Sequence, residues 1–593
     1  MTLRKSCTRL ERQEFLEPEG DSLNINIHRR QLLSAGLLAG GGMALPGLVP
    51  AWARSGSPGL VPEIPALRGE HIALEVGYSR FTVDGRTGHA VSINGTIPAP
   101  LIRLREGQNV RIAVTNTLNE DTSIHWHGVL LPFHMDGVPG VSFPGIRAGE
   151  TFVYEFPVRH AGTFWYHSHS NMQEQLGHYG PLIFDPAGPD PVRYEREHVL
   201  VLSDWSFMHP HTIMQKLKKD PGYFNNQRQT LAGLIAGSGP EERMSMADRL
   251  MWQRMRMDPT DIADVTASAY TYLVNGHGPA ENWTALFRPN ERVRLRVINA
   301  SSMTVFNVRI PDLRMTVVNA DGNNVRPVEV DEFQISVAET YDVIVRPMED
   351  RAFTLVAESV DRSGMARATL APRPGMSAPV PPLRTRPTLG MEAMGMAMHH
   401  DAPEETGHHG LPDATAAAGI STGPGVDMLA TNPQDAAGKR GLGLEDVRHR
   451  VLVYTDLVAL EANPDRRPPS RALEIHLTGN MERFMWSFDG KKFSEVVEPI
   501  RFAREERVRV TLVNDTMMQH PIHLHGHFFE VVNGHPGRHP MKHTVNVPPG
   551  SKIAFDLTAG NPGDWAFHCH LLYHMHAGMF NVVSVRPMDG TAP

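Results

Sequence analysis

One alternating segment occurs three times in this chain, and it constrains the fold more than any other feature. Asn109-Val110-Arg111-Ile112-Ala113-Val114-Thr115-Asn116, Arg292-Val293-Arg294-Leu295-Arg296-Val297-Ile298-Asn299 and Arg507-Val508-Arg509-Val510-Thr511-Leu512-Val513-Asn514 share one pattern. Apolar residues sit at i, i+2 and i+4, as a half-buried strand requires, and Asn closes each run where a turn should follow. A second alternating run follows each copy: Phe152/Tyr154/Phe156, Tyr341/Val343/Val345 and Ile553/Phe555/Leu557, at offsets of 42, 48 and 45 residues from Val110, Val293 and Val508. Three copies of one β domain explain this most economically. The length of 593 residues agrees, since ~150 residues per domain gives three or four domains.

Many short alternating strands with Gly and Pro turns imply antiparallel β-sandwiches, an all-β chain, rather than α/β layers. The domains are placed at 60–190, 195–375 and 446–593. Residues 376–445, rich in Pro, Gly, Ala, Met and His and without strand periodicity, read as a Met/His-rich linker, largely mobile, inserted before the third domain. A helix is expected near Ser245–Met257.

The chain contains four His-x-His pairs: His125/His127, His167/His169, His523/His525 and His568/His570. On a strand, residues i and i+2 project to one face, so each pair can aim two imidazoles at one point. Two pairs lie in the first repeat, two in the third and none in the second. That distribution is what a metal cluster between the first and third domains would leave, with eight nitrogen donors converging. Cys569 lies inside the last pair, and alternation sends it to the opposite face. It would then join a second metal site to the cluster through the adjoining peptide units. His520, His574 and Met579 stand at usable spacing from it, and two His, one Cys and a weak axial Met form the blue-copper set.

Composition narrows the alternatives. The 31 His and 29 Met favour soft and borderline metals, copper before magnesium or calcium. A formal charge of −8 suggests neither a nucleic-acid nor an anionic-membrane partner. Only two Cys occur, Cys7 and Cys569, which excludes a disulfide scaffold. No apolar run is long enough to span a membrane. Residues 1–53, with Arg29-Arg30, a weakly apolar stretch from Leu32 to Val49 and Ala51-Trp52-Ala53, resemble a twin-arginine signal peptide, implying export to the periplasm of an already folded chain.

His-Trp-His-Gly at 125–128, Trp-Tyr-His-Ser-His at 165–169, His-Pro-Ile-His-Leu-His-Gly at 520–526 and His-Cys-His-Leu-Leu-Tyr-His at 568–574 resemble the four copper motifs of multicopper oxidases. The twin-arginine start, the Met-rich run from Met244 to Met257 ending in Asp258-Pro259-Thr260-Asp261-Ile262-Ala263-Asp264-Val265, and Met135-Asp136-Gly137-Val138-Pro139-Gly140 resemble more closely the copper-resistance, CopA-type branch. The resemblance covers essentially all of the chain after the signal. It implies three cupredoxin-like Greek-key domains and four copper ions. His520, Cys569, His574 and Met579 would hold type 1 copper, and His125 and His523 type 2. His127, His167, His169, His525, His568 and His570 would hold the binuclear type 3 pair. Electrons would enter at type 1 and pass through Cys569 to the cluster, where dioxygen is reduced to water. Asp136 matches an acid of the family that relays protons, although Asp before Gly is also a turn former. After His574 relatives often carry an acid within two positions, where this chain has Met575 and His576.

Met244, Met246, Met251, Met255 and Met257, then Met391, Met394, Met396 and Met398 with His399, His400, His408 and His409, supply thioethers and imidazoles. Thioether selects Cu(I), so these methionines are expected as accessory Cu(I) ligands, packing being the alternative for the helical set. The expected activity is oxidation of Cu(I) to Cu(II) coupled to reduction of dioxygen, serving copper resistance. The alternatives are a laccase-like oxidase of phenols and a periplasmic copper-sequestering protein. A two-domain nitrite reductase needs fewer repeats and fewer pairs. The expected partners are dioxygen, Cu(I) or another small reductant, and periplasmic copper-handling proteins, with the chain itself a monomer.

Overall fold

The computed structural model describes residues 63–226, 228, 246–254, 256–390, 395 and 419–587. The signal segment 1–53 lies outside them, as do Met244, Met255, Met391, Met394, Met396, Met398, His399, His400, His408 and His409. Of Met246 only the helical backbone is described.

The three repeated segments form strands Asn109–Asn116, Val293–Asn299 and Arg507–Asn514. Each pairs antiparallel with its second run, and the register is the same three times. Val110, Ile112 and Val114 face Phe156, Tyr154 and Phe152. Val293, Leu295 and Val297 face Val345, Val343 and Tyr341, and Val508, Val510 and Leu512 face Leu557, Phe555 and Ile553. All nine of the first-named residues are buried, so a slip of one residue would turn an entire apolar set to the wrong face.

The closing asparagine does the same work in each copy. Oδ1 of Asn116, Asn299 and Asn514 accepts the main-chain N–H two residues on, from Leu118, Ser301 and Thr516. Their Nδ2 groups donate to the carbonyls of Ile146, of Ile335 at the end of strand Glu332–Ile335 and of Val547 at the end of strand Thr544–Val547. An Asx turn thus ends the strand, and a buried amide staples the two sheets.

Each repeat contributes two sheets. In the first, His71–Val83, Arg86–Ile93, Asn109–Asn116 and Thr151–Pro157 form one, and Ala66–Leu67, Leu101–Arg105, His125–His127, Gly162–His167 and Tyr179–Asp185 the other. The all-β sandwich expectation holds, with parallel pairs added. His71–Val83 runs parallel to Asn109–Asn116 because the chain visits the other sheet at Leu101–Arg105 between them. Arg196–Ser206 and Arg471–Asn480 pair parallel in the same way.

The described flanks of 376–445 depart from a mobile linker. Arg384 pairs with buried Glu332 and Glu358, and Leu389, Val426, Met428, Ala436 and Leu444 are buried. No periodicity shows there because the described flanks are mostly irregular chain, held by single main-chain bonds such as Leu389 N to Pro259 O and by one two-residue strand, Gln434–Asp435, parallel to Ser551–Thr558. The expected helix spans Met246–Arg254.

Candidate metal centre

The four pairs sit on two strand pairs related by the repeat. His125–His127 lies antiparallel to Gly162–His167, with His125 opposite His167. His520–Leu524 lies antiparallel to Gly563–Cys569, with His523 opposite His568 and Ile522 opposite Cys569. The equivalent strands of the second repeat, Phe306–Arg309 and Phe353–Ser359, carry no histidine.

All eight imidazoles meet. The rings of His127 and His523 stack with centroids 3.8 Å apart, and those of His125 and His525 also lie 3.8 Å apart. His169, His525 and His568 form one group whose ligand atoms lie within 4.8 Å of one another, and His525 Nε2 is 3.0 Å from His568 Nε2. His127, His167 and His570 gather on the other side, with ring centroids 4.9 to 5.7 Å apart.

Cys569 points away from this cluster, as alternation requires. Its Sγ lies 3.5 Å from His520 Nδ1 and 3.8 Å from His574 Nδ1, and the two nitrogens are 3.2 Å apart. Met579 is fully buried; its carbonyl accepts from Cys569 N, and its N–H donates to His574 O. His574 is carried by helix Leu572–Ala577, and Trp486 stacks on its ring at 3.9 Å. Between the two groups the only covalent spacers are the peptide units from Cys569 to His568 and His570.

The residues fit copper. The Nε2 atoms of His125, His167, His169, His523 and His570, and both ring nitrogens of His127, are buried without a protein partner. Leaving so many bare lone pairs in one place would cost about 1–3 kcal/mol each, unless a metal uses them. Burial, reinforced by neighbouring imidazoles, holds His127, His167, His169, His523, His525 and His570 well below the ordinary histidine value. It lowers His568 to about 4. They are therefore neutral, the form that binds metal. Imidazole and thiolate together suit copper.

The surrounding residues fix ring orientation. Asp136 Oδ2 accepts from His525 Nδ1 at 2.8 Å, and its carbonyl accepts from His125 Nδ1 at 2.8 Å. Asp136 precedes Gly137, so the turn and the contact to the cluster are one feature. Four residues escaped the sequence reading. Glu174 Oε2 lies 2.9 Å from His167 Nδ1. Asp264 Oδ2 accepts from His574 Nε2 at 2.7 Å. Asp321, from the repeat without histidine pairs, accepts from the main-chain N–H of His543 and Thr544. His543 itself stands beside His127. The only available signal was the Asp-rich run containing Asp264; the other three are joined to the site by tertiary contacts alone.

Of the expected thioethers, Met251 and Met257 are described and half-buried. Met257 joins Met428, Met481 and Met517 in one apolar cluster with Trp252, Ile262 and Ala263. Ala263 is the residue before Asp264.

Models of the family described as multicopper oxidase match residues 75–188, 196–373 and 466–589. Copper resistance protein A homolog of Pseudomonas syringae pv. tomato is 47% identical over 90% of this chain and 95% of its own length. Copper resistance protein A of Escherichia coli is 44% identical over 88% and 94%. Among solved structures, a laccase from Botrytis aclada superposes with a TM-score of 0.59 at 22% identity, covering 88% of each chain.

Proposed function

Because the chain belongs to the multicopper oxidase family, and is thus a copper-dependent oxidoreductase with dioxygen as acceptor, we propose that its reducing substrate is Cu(I), oxidised to Cu(II) in the service of copper resistance. One observation carries this reading. Four thioethers, Met257, Met428, Met481 and Met517, cluster against Ile262 and Ala263, and the next residue, Asp264, is hydrogen-bonded to His574. Soft donors that select Cu(I) therefore adjoin a carboxylate joined directly to the type 1 ligand set. The names of the relatives from P. syringae and E. coli point the same way.

In this reading type 1 copper is held by His520, Cys569, His574 and Met579, and type 2 by His125 and His523. One type 3 ion is held by His127, His167 and His570, the other by His169, His525 and His568. Bound copper supplies one-electron redox steps and the binding of dioxygen. The protein supplies the rest. Asp264 fixes the His574 ring and faces the substrate side. Cys569 provides the covalent route from the entry site to His568 and His570. Asp136 orients His125 and His525, and its carboxylate would relay protons to the cluster. Trp486 and the other buried aromatics exclude water.

The domain limits 60–190, 195–375 and 446–593 are supported by the three matched spans. The chain would act in the periplasm after twin-arginine export of residues 1–53, as a monomer, beside copper-handling proteins. No helix among the described residues is long and apolar enough to cross a membrane.

The test is oxygen uptake by copper-loaded protein. Cu(I) should be consumed well above the uncatalysed rate, and Met428→Leu with Met481→Leu should raise KM for Cu(I) while leaving phenol oxidation intact or faster. Cu(I) turnover at the uncatalysed rate would reject the proposal.

A further inference from the structure

The second repeat offers no histidine pair, yet one of its carboxylates grips the main chain beside the cluster. Asp321 follows strand Met315–Ala320 and is fully buried, as are Lys542, His543 and Thr544 of the third domain. Asp321 Oδ1 accepts from Thr340 N at 3.0 Å. Its Oδ2 accepts from His543 N at 3.3 Å and from Thr544 N at 3.2 Å, and lies 3.0 Å from Lys542 Nζ. Lys542 Nζ is also 3.1 Å from Glu339 Oε1, to which Tyr454 donates at 2.7 Å. Well-packed apolar residues of the same size would join the two domains equally well, so packing alone does not explain buried charges here.

A peptide unit links this ionic set to the metal centre. Thr544 N and His543 O belong to the same peptide: its N–H donates to Asp321, and its C=O accepts from His523 Nδ1 at 2.7 Å. Hydrogen bonds in series polarise one another, so a carboxylate at the N–H end makes the carbonyl a stronger acceptor at the other. With its Nδ1 proton committed to that carbonyl, His523 keeps Nε2 buried and bare, the atom free for a metal. Metal sites commonly place a carboxylate behind a ligating imidazole. Asp136 does so for His525 directly; here a peptide stands between.

Strand pairing fixes which histidine is served, since Thr544 lies opposite His523. The His543 side chain has a different task. Its ring packs against Gly128, where a Cβ would come within 2.5 Å of it.

We propose that Asp321 is a positioning residue of the type 2 copper centre: its carboxylate, ion-paired with Lys542, fixes and polarises the peptide whose carbonyl holds His523. This rests on the assignment of His523 to type 2 copper made above, and not on the identity of the reducing substrate.

The test uses the copper-loaded full chain carrying Asp321→Ala or Asp321→Asn, challenged with a chelator. Type 1 copper is followed by its blue absorption and type 2 by EPR. Type 2 copper should leave on the order of tenfold faster in Asp321→Ala and at an intermediate rate in Asp321→Asn. Its hyperfine coupling should change in both, with type 1 unaltered. Glu339→Gln weakens the link between the domains without touching the 543–544 peptide, so it should lower the thermal midpoint and leave type 2 retention and coupling as they are. Unchanged type 2 release in the Asp321 variants, or equal loosening of both copper types, would overturn the proposal, as would the same type 2 loss in Glu339→Gln. Asp321→Asn, alike in shape but uncharged, decides the matter if Asp321→Ala does not fold. A type 2 signal that survives His523→Ala would overturn the assignment of His523 and the proposal with it. Loss of that signal in His523→Ala, with no effect at Asp321, would overturn the proposal alone.

Discussion

Asp136 Oδ2 accepts a hydrogen bond from His525 Nδ1 at 2.8 Å, although the two residues are 389 apart in sequence. The same residue's carbonyl holds His125 Nδ1, so one turn of the first domain sets two rings from different domains. Asp136→Ala removes the carboxylate while leaving the carbonyl. It should weaken copper retention at the cluster and oxygen uptake by about 10–100-fold. Asp136→Asn keeps an acceptor for His525 and should retain copper better than Ala while still slowing turnover, because an amide cannot deliver a proton. Chelator-challenge kinetics and oxygen uptake distinguish the two effects.

Cys569 is the one thiol in the described residues, placed between His520 and His574 on one side and the eight-imidazole cluster on the other. Cys569→Ser should abolish the blue absorption and reduce substrate-driven oxygen uptake to background. Copper bound by the eight histidines should remain, as metal analysis of the variant would show.

Gly137 follows Asp136 with φ +83°, and a Cβ there would fall 1.8 Å from Ile124 O. Gly137→Ala must therefore move the strand that begins at His125 or break the turn. A non-glycine residue held at positive φ costs about 1–3 kcal/mol before the clash is counted. A lowered thermal midpoint together with loss of type 2 copper is expected; an unchanged midpoint would contradict the packing described.

The asparagine-terminated repeats and the four histidine pairs were legible in the sequence because both follow from a local rule, the two-residue period of a strand. Glu174, Asp264, Asp321 and His543 were not, because what ties them to the site is a contact between elements far apart in sequence. Asp264 and His574 are 310 residues apart. The flanks of 376–445 were misread for a related reason. Arg384 is fixed by Glu332 and Glu358, which a scan for periodicity in its own neighbourhood does not register. Met428, Met481 and Met517 belong to none of the Met-rich runs and are gathered beside Met257 only by folding.

Acid should loosen the contact between the first two domains. Burial raises the Glu197 carboxyl, but Arg296 and Arg103 outweigh it and hold it down at about 2; Arg103 comes from the first domain and Arg296 from the second. A folded value depressed below the ordinary 4.5 contributes stability that is present above the ordinary value and is lost as pH falls through the folded one. The window is therefore from about 4.5 down to about 2. At neutral pH the contribution is on the order of 3 kcal/mol. Glu197→Gln should lower the thermal midpoint at pH 7 and flatten its decline over the acid range, as calorimetry across that range would show.

Anomalous diffraction at the copper edge from crystals of the copper-loaded protein tests the central claim most directly. Four peaks are predicted, one beside Cys569 and three enclosed by the eight paired histidines. Copper dispersed over the surface, with those eight imidazoles holding none, would contradict the account.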